Sequence, residues 1–196
     1  MVVLLALGLH TGELSAQSKK LTKAEREAAW RAERLKKKAE ERARIEKYDS
    51  VAFVQAVEAL RNGSWALEAS NITFNNGVMR FVTESTNYVS VNDGEGTVQT
   101  AFDNVNISSP NGLGGVTLQG DVYGEKMTQD EEGNVHYTYT VQGSNISAVV
   151  NVVVAAKSNH ASAKVSPNFS GNTITMNGYI YPYNTAGVFQ GTPSYH

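Results

Sequence analysis

The sequence predicts a mainly β fold: a single antiparallel meander sheet, closed as a barrel or folded into a sandwich. Three observations predict it. From Trp65 onward side-chain polarity alternates with a period of two, turn signals separate the alternating segments, and no helical segment interrupts them. Before this region the sequence predicts two helices, a long charged one and a short amphipathic one packed on the sheet.

Charge is distributed unevenly along the 196 residues. Residues 19–47 contain twelve Lys or Arg and six Glu, a net of +6, whereas residues 48–196 contain five Lys or Arg and twelve Asp or Glu, a net of −7. This asymmetry indicates two parts with separate roles. The chain has no cysteine, which excludes disulfides, thiolate zinc sites and a cysteine nucleophile. No apolar run approaches the ~20 residues of a transmembrane helix.

Residues 1–16 have the pattern of an export signal. Val2–Leu9 is an apolar run with the length of a signal-peptide core, and small residues end the segment at Ala16. No Lys or Arg precedes the run, so we expect the true start to lie upstream of Met1. Cleavage after Ala16 predicts a periplasmic, outer-membrane-associated or secreted protein. The alternative is a buried strand or short helix over residues 2–9.

Residues 17–48 are predicted to be a charged helical spacer. Leu21–Tyr48 contains no Gly or Pro and is rich in strong helix formers, and Thr22 and Glu25 have the spacing of a capping box. Its few apolar residues do not recur at heptad spacing, so we expect no coiled coil. The alternative is a basic arm that touches anionic lipid, lipopolysaccharide or nucleic acid. Of these partners we expect peripheral contact with a membrane and no nucleic acid. Six interspersed glutamates count against a basic arm of any kind.

A second, shorter helix is predicted over about residues 50–62, capped by Asp49 or Ser50 and ended by Gly63. Its apolar face in the helical period comprises Phe53, Val54, Val57 and Leu60. We expect this helix to cover the outer face of the strand at 146–156, where Val149 and Val153 are apolar.

Nine strands are predicted in the region that follows, which we assign to a β domain over residues 49–190 with a tail at 191–196. Turn signals such as Asn75-Asn76-Gly77 and Asn92-Asp93-Gly94 separate the strands. Short links favour hairpins, and both a barrel and a sandwich remain open. The predicted strands are 65–74, 77–83, 87–92, 97–102, 115–127, 135–142, 146–156, 160–166 and 173–182.

The longest predicted connection runs from Asp103 to Gly115, and loops of about twelve residues are often functional. Its glycines precede a strand rather than a helix, so a phosphate cradle is not expected. The loop is either a contact surface or a tight turn with a bulge. The candidate contact residues in it are Asn111, Gly112, Gly114 and Gly115.

Tyrosines form a second candidate contact surface near the end of the chain. Tyr179, Tyr181 and Tyr183 alternate onto one side near the end of the chain. Such a row is either a platform for sugar or peptide, because each ring has an apolar face and a polar edge, or ordinary cross-strand packing.

The sequence predicts no catalytic, cofactor or metal site. His136 and His160 have neither metal-ligand spacing nor a neighbouring nucleophile, and His136 is expected to be solvated. Residues 130–132 are acidic and are expected at a hairpin tip. Asp103 and Asp121 flank the long loop and are the first carboxylate pair to consider for glycoside hydrolysis.

The most specific motif of the chain is Pro110-Asn-Gly-Leu-Gly-Gly, which leads into a strand ending at Gly120. It occurs together with the Ala59–Trp65 lead-in, Asn87-Tyr-Val-Ser-Val91, Thr97-Val-Gln-Thr-Ala-Phe102 and Pro167-Asn-Phe169. With these motifs, the stretch Leu67–Phe189 resembles the domain of unknown function 4251 family of exported Bacteroidetes proteins. The resemblance implies a cell-envelope location and carries no known activity.

The first functional hypothesis is therefore an exported envelope domain, without enzymatic activity, that binds an envelope protein, a glycan or a small ligand. The alternatives are a small envelope hydrolase with carboxylates near residues 103–121, and a purely structural scaffold. A lined cavity inside the sheet favours binding, and a solid interior favours a scaffold.

Overall fold

The computed structural model describes residues 22–102, 109–144, 146–168 and 171–194. The predicted export signal at residues 1–16 lies outside these residues. The chain divides into two units, residues 1–42 and 43–196. The described part of the first unit is helical from Lys23, and the second unit contains the rest of that helix and the sheet.

The helix α1 spans Lys23–Arg61 and begins at the predicted capping box. The Thr22 N–H donates to Oε2 of Glu25 over 2.7 Å, and the Glu25 N–H donates to the Thr22 hydroxyl over 3.2 Å. These bonds from the Thr22 backbone and side chain lower the pKa of Glu25. The helical part of the described chain contains no 18-residue stretch apolar enough for a transmembrane span.

The expectation of two helices is wrong, because α1 continues through the predicted break at Asp49 and Ser50. The Ser50 hydroxyl donates to the Glu46 carbonyl one turn earlier, over 2.8 Å, so this side chain bonds within the helix instead of capping a new one. No Gly or Pro lies between Tyr48 and Arg61 to interrupt the backbone ladder. The helix ends at Arg61, and the predicted stop residue Gly63 follows it with a φ of +61°.

In the described part of the chain nine strands follow the helix, at the predicted places within a few residues. A 3-10 turn at Glu84–Thr86 precedes the third strand, and another at Tyr183–Thr185 follows the last. The strands are β1 Ser64–Phe74, β2 Met79–Phe81, β3 Tyr88–Asn92, β4 Glu95–Thr100, β5 Val116–Gln129, β6 Val135–Gln142, β7 Ser147–Val154, β8 His160–Pro167 and β9 Ile174–Pro182.

The strands form a closed barrel, which decides between the two predicted architectures. The antiparallel order is β2-β1-β3-β4-β5-β6-β7-β8-β9, and β9 pairs again with β1. This second pairing runs from Trp65 opposite Pro182 to Phe74 opposite Ile174. The short β2 pairs with β1 outside the ring, so the closed barrel contains eight strands.

Alternation places one face of each strand inside the barrel, as predicted. The buried apolar residues of all eight barrel strands form one cluster, which also contains four residues from the end of α1: Ala56, Val57, Ala59 and Leu60. Two expectations about this helix are wrong. Val54 is exposed, because the buried face turns toward alanines. Val153, on the outer face of β7, is also exposed, because the end of α1 packs into the interior cluster instead of covering that face.

The outer face of β3, β4 and β5 is covered by residues 186–194, which we call the C-terminal strap. The Phe189 N–H donates to the Ser85 carbonyl over 2.7 Å, and the Ser194 N–H donates to the Thr117 carbonyl over 2.8 Å. Residues 191–194, which the sequence assigns to a tail, thus bond to the barrel. This cover explains why polar side chains on the outer face, such as Gln99 and Thr117, are buried.

Gln99 is the residue that joins the strap to the barrel. Its Nε2 donates to the carbonyls of Thr86, over 3.0 Å, and Phe189, over 2.8 Å. Its Oε1 accepts from the Gly191 N–H, over 2.7 Å, and from the Thr117 hydroxyl, over 2.9 Å. Every polar atom of this buried amide is therefore bonded.

The substitution Gln99→Ala is expected to lower the free energy of unfolding by about 3 kcal/mol, because it leaves several buried polar groups unpaired. Urea denaturation measures the loss. The control is Gln190→Ala, which removes an exposed amide bonded only to Gln119 in the described chain and is expected to cost about 0.5 kcal/mol or less. Equal stability of Gln99→Ala and the parent would show that the strap is not held by this residue.

Candidate functional site

The described part of the long loop is organised around the buried side chain of Asn111. Its Nδ2 donates to the Thr100 carbonyl over 2.9 Å and to the Thr117 hydroxyl over 3.3 Å. Its Oδ1 accepts from the N–H groups of Leu113, over 3.0 Å, and Gly115, over 3.1 Å. The side chain therefore holds the loop against β4 and β5 and presents no free polar group to a partner.

The three candidate glycines have backbone roles in the same loop. Gly112 has a φ of +72° and Gly114 a φ of +83°, which favour glycine. A side chain at Gly115 would overlap the Thr100 carbonyl oxygen, and one at Gly114 would overlap that of Phe102. This geometry agrees with the turn-and-bulge alternative. Binding at the loop stays a prediction, and Asp103 lies outside the described residues.

Tyr179 and Tyr181 lie on the outer face of β9. Tyr179 is 42% exposed, and its ring meets the ring of His160 edge to face at 5.4 Å. Tyr181 is half-buried in a groove of about 440 Å³ beside Asn62, and burial, followed by the nearby Glu68, raises its pKa. Tyr183 lies beyond the end of β9 at Pro182, so the predicted alternation stops before it. In the described chain no hydrogen bond or ring contact joins either candidate tyrosine to the loop.

His136 belongs to the hairpin between β5 and β6. Its Nε2 lies 3.0 Å from Oδ2 of Asp130, and the Asn134 side chain donates to the same oxygen over 3.0 Å. The side chains of His136 and Asp130 are 44% and 34% exposed, so both are partly solvated. No group of three or more possible metal ligands occurs among the residues described.

Asp121 lies in a surface groove of about 750 Å³ that also contains Glu95, its register partner on β4. Glu95 accepts a hydrogen bond from Gln119, and Asp121 accepts one from the Tyr123 hydroxyl over 3.3 Å. Both carboxylates are exposed, whereas a glycosidic general acid needs a carboxyl shielded from water. Neither described carboxylate of this groove is shielded in this way. Hydrolysis therefore stays a prediction.

Aromatic residues fill the barrel interior where β1 begins. The Trp65 ring meets the rings of Tyr137 and Tyr139 edge to face, at 5.7 Å and 5.9 Å. Tyr137 donates to Glu125, and burial together with this bond raises its pKa. Burial also raises the pKa of Tyr139. This part of the interior is packed by side chains and by the end of α1.

A cavity of about 270 Å³ opens at the opposite end, where β1 ends and β9 begins. Thr100 and Asn172 are its polar lining residues, and the described lining contains no charged side chain. The rings of Phe74 and Phe102 lie 5.9 Å apart at its rim. The apolar walls are Phe74, Val98, Phe102, Val116, Leu118, Ile146, Ala148, Val165, Pro167 and Ile174.

No local pattern in the sequence predicts this cavity. Alternation correctly places Val116 and Leu118 on one face of β5, which turns inward. The residues that meet across the mouth come from six strands and the segments beside them. These residues come together only because the barrel closes, and local periodicity in the sequence does not predict closure.

The family model and the solved structure that match this chain belong to the same family. The sequence model described as Domain of unknown function (DUF4251) matches residues 47–180, more than half of the chain. The chain belongs to the DUF4251 family. The resemblance inferred from the motifs is thus confirmed, and the family description assigns no activity to any residue.

A solved DUF4251 structure has a similar fold. This protein, from Bacteroides eggerthii, was determined by crystallography at 1.95 Å resolution and is 40% identical in sequence. The match covers 74% of this chain and 96% of that chain, with a TM-score of 0.64. Among curated proteins, none matches this DUF4251 chain.

The loop glycines provide a test that separates steric from conformational requirements. Gly115→Ala is expected to lower the free energy of unfolding by about 3 kcal/mol, because its methyl group would overlap backbone. Gly112→Ala is expected to cost about 1–2 kcal/mol, because space is open and only the positive φ is strained. Denaturant titration measures both. The reverse order would contradict this account of the loop.

The Asp130 carboxylate provides a pH test. Hydrogen bonds from His136 and then Asn134 lower its pKa from the ordinary 3.8 to about 2. The stabilisation is therefore present above pH 3.8 and is lost as the pH falls toward 2, and solvent exposure keeps it small. NMR titration of the carboxyl carbon measures the pKa. His136→Gln and Asn134→Ala should each raise it, and an unchanged value in both variants would contradict the assignment.

Proposed function

We propose that this DUF4251 protein is an exported cell-envelope protein that binds an apolar ligand in the mouth of its barrel. The observation that carries the proposal is the cavity of about 270 Å³ where β1 ends and β9 begins. The mouths of β-barrels are recurrent places for small-molecule sites. Eight-stranded barrels have an interior just wide enough to be filled by side chains or to hold one small ligand.

The chemistry of the walls supports an apolar ligand group. An apolar cavity of about 150 Å³ holds one benzene molecule, so 270 Å³ provides room for a larger aromatic or a short branched hydrocarbon group. A charged group placed among these walls would lose its hydration without gaining a charged partner in the described lining. Any polar end of the ligand would therefore remain at the open rim, near Thr100 and Asn172.

Binding without chemical transformation is the simplest use of such a site. The described lining contains no carboxylate, imidazole or lysine to act as acid, base or nucleophile. The carboxylates Glu95 and Asp121 belong to a different, solvent-exposed groove. We therefore assign retention or presentation of a ligand, and not hydrolysis, to the barrel.

The envelope location is proposed from the sequence. Val2–Leu9 and the small residues up to Ala16 support export. A barrel without cysteine folds without disulfides whatever the redox state of its compartment. Fractionation of cells that express the natural gene tests the location, and retention of the unprocessed chain in the cytoplasm would contradict it.

Binding is tested with N-phenyl-1-naphthylamine, an uncharged probe that fluoresces in apolar surroundings. Val116→Lys is expected to weaken probe binding about tenfold or more, because it places a charge in the mouth. Val153→Lys is the matched control, since it replaces the same residue type on an outer face. Val116 is 40% exposed and Val153 is 37% exposed, so we expect both variants to fold.

The free energy of unfolding of both variants is measured alongside the binding. Probe fluorescence in the parent and in Val153→Lys, with loss in Val116→Lys, supports the proposal, and an uncharged alkanol such as 1-octanol should compete. Equal probe binding by a folded Val116→Lys variant, or no binding by the parent, would overturn it.

A further inference from the structure

One face of α1 in the first unit combines exposed apolar and cationic side chains. Trp30, Arg34 and Lys38 follow one another at four-residue spacing, and Arg31 and Leu35 form the adjacent row. Trp30 is 57% exposed and Leu35 is 69% exposed. We call these five residues the Trp30 face.

The cations of this face are not paired with carboxylates, whereas two nearby lysines of the helix are. Lys37, which borders this face, lies 2.8 Å from Glu33, and Lys36, on the opposite side of the helix, lies 3.9 Å from Glu40. In the described chain, no carboxylate lies within 4.0 Å of the charged groups of Arg31 or Lys38. The Arg34 guanidinium lies over the Trp30 ring, 4.7 Å from its centroid, in a cation–π contact. Within the described chain, none of these three cations is thus held in an ion pair.

We propose that the Trp30 face binds the surface of a lipid bilayer that carries anionic headgroups. Charge complementarity identifies the partner, since three cations without carboxylate partners fit headgroup phosphates. The apolar residues distinguish a bilayer from other polyanions, because tryptophan prefers the interface between headgroups and acyl chains and leucine is buried there. A DNA duplex would neutralise the cations and leave Trp30 and Leu35 in water.

This contact is independent of the barrel cavity. It places the helix along the bilayer surface as an interfacial element, which a single helical face achieves without a membrane span. Glu27 lies one turn before Arg31 and reduces the positive charge on this side of the helix. The contact is still favoured, because residues 19–47 keep a net charge of +6 and Glu33 and Glu40 are paired with Lys37 and Lys36.

Vesicle binding by the full chain tests the proposal. The vesicles contain equal parts of phosphatidylglycerol and phosphatidylcholine, and pure phosphatidylcholine vesicles serve as the neutral reference. Tryptophan emission reports the contact, because Trp65 is fully buried and Trp30 is the exposed indole. We expect a blue shift with the anionic vesicles, tighter binding at low salt, and little binding to the neutral vesicles.

Two double variants with the same change in net charge separate a specific face from general attraction. Arg31→Gln with Lys38→Gln removes two unpaired cations and is expected to weaken binding roughly 25-fold, about fivefold for each charge. Lys36→Gln with Lys47→Gln removes two cations from the opposite side of the helix and is expected to have a much smaller effect. Circular dichroism verifies that both variants keep the helix.

Equal losses in the two double variants would overturn the proposal, as would equal binding to neutral and anionic vesicles. An unchanged emission of Trp30 on binding would overturn it as well. A labelled DNA oligonucleotide is titrated in parallel. Binding of the oligonucleotide that depends on Arg31 and Lys38, without binding to vesicles, would assign the face to nucleic acid and overturn the membrane contact.

Discussion

Closure of the sheet by β1 and β9 is the constraint on which the rest of the barrel depends. The two strands pair along their whole length, with a bulge between Ala69 and Asn71. Gly178 permits this approach, because a side chain there would overlap the carbonyl oxygen of Glu68. Without this pairing the sheet would have two long open edges, and its inner face would lack an opposite wall.

Closure also decides how the two ends of the interior differ. Where β1 begins, Trp65 and two tyrosines occupy the available space, and Leu60 from α1 joins them. Where β1 ends, the wall consists mainly of smaller aliphatic side chains, with Phe74 and Phe102 at the rim, and a cavity remains. The same ring of strands therefore has a packed end and an open end, which is why a ligand site is proposed at only one of them.

The motifs that carry the family resemblance are used mainly to build the fold. Asn87, Gln99 and Asn111 each come from one of these motifs, and their side chains bond to the backbone of neighbouring segments. The Asn87 side chain accepts from the Ala101 N–H over 2.8 Å, and the Thr117 hydroxyl links Gln99 to Asn111. These residues tie the long loop and the C-terminal strap to the outside of the barrel. A motif that is specific enough to identify a family thus need not mark the place where a ligand binds.

Local signals in the sequence were sufficient for the elements and insufficient for their assembly. Two-residue alternation found all nine strands, and the spacing of Thr22 and Glu25 found the helix start. The break at Asp49 was predicted because Asp and Ser are good caps, yet a cap requires the chain to leave the helix, and nothing there makes it do so. The strap was missed because Gln99 and Thr117 have the alternation of an exposed face. Their burial depends on a segment about 70 or more residues later in the chain.

The two proposed contacts follow from the same division of the molecule. The acidic part of the chain forms a barrel whose described cavity lining is uncharged, whereas the basic part is a helix with a face of unpaired cations. An apolar ligand is poorly soluble in water, and a lipid bilayer is a natural reservoir for such a molecule. A helix held at an anionic bilayer would keep the attached barrel near that reservoir. A protein of this kind needs no catalytic group, because both contacts depend only on burial of apolar surface and on neutralisation of charge.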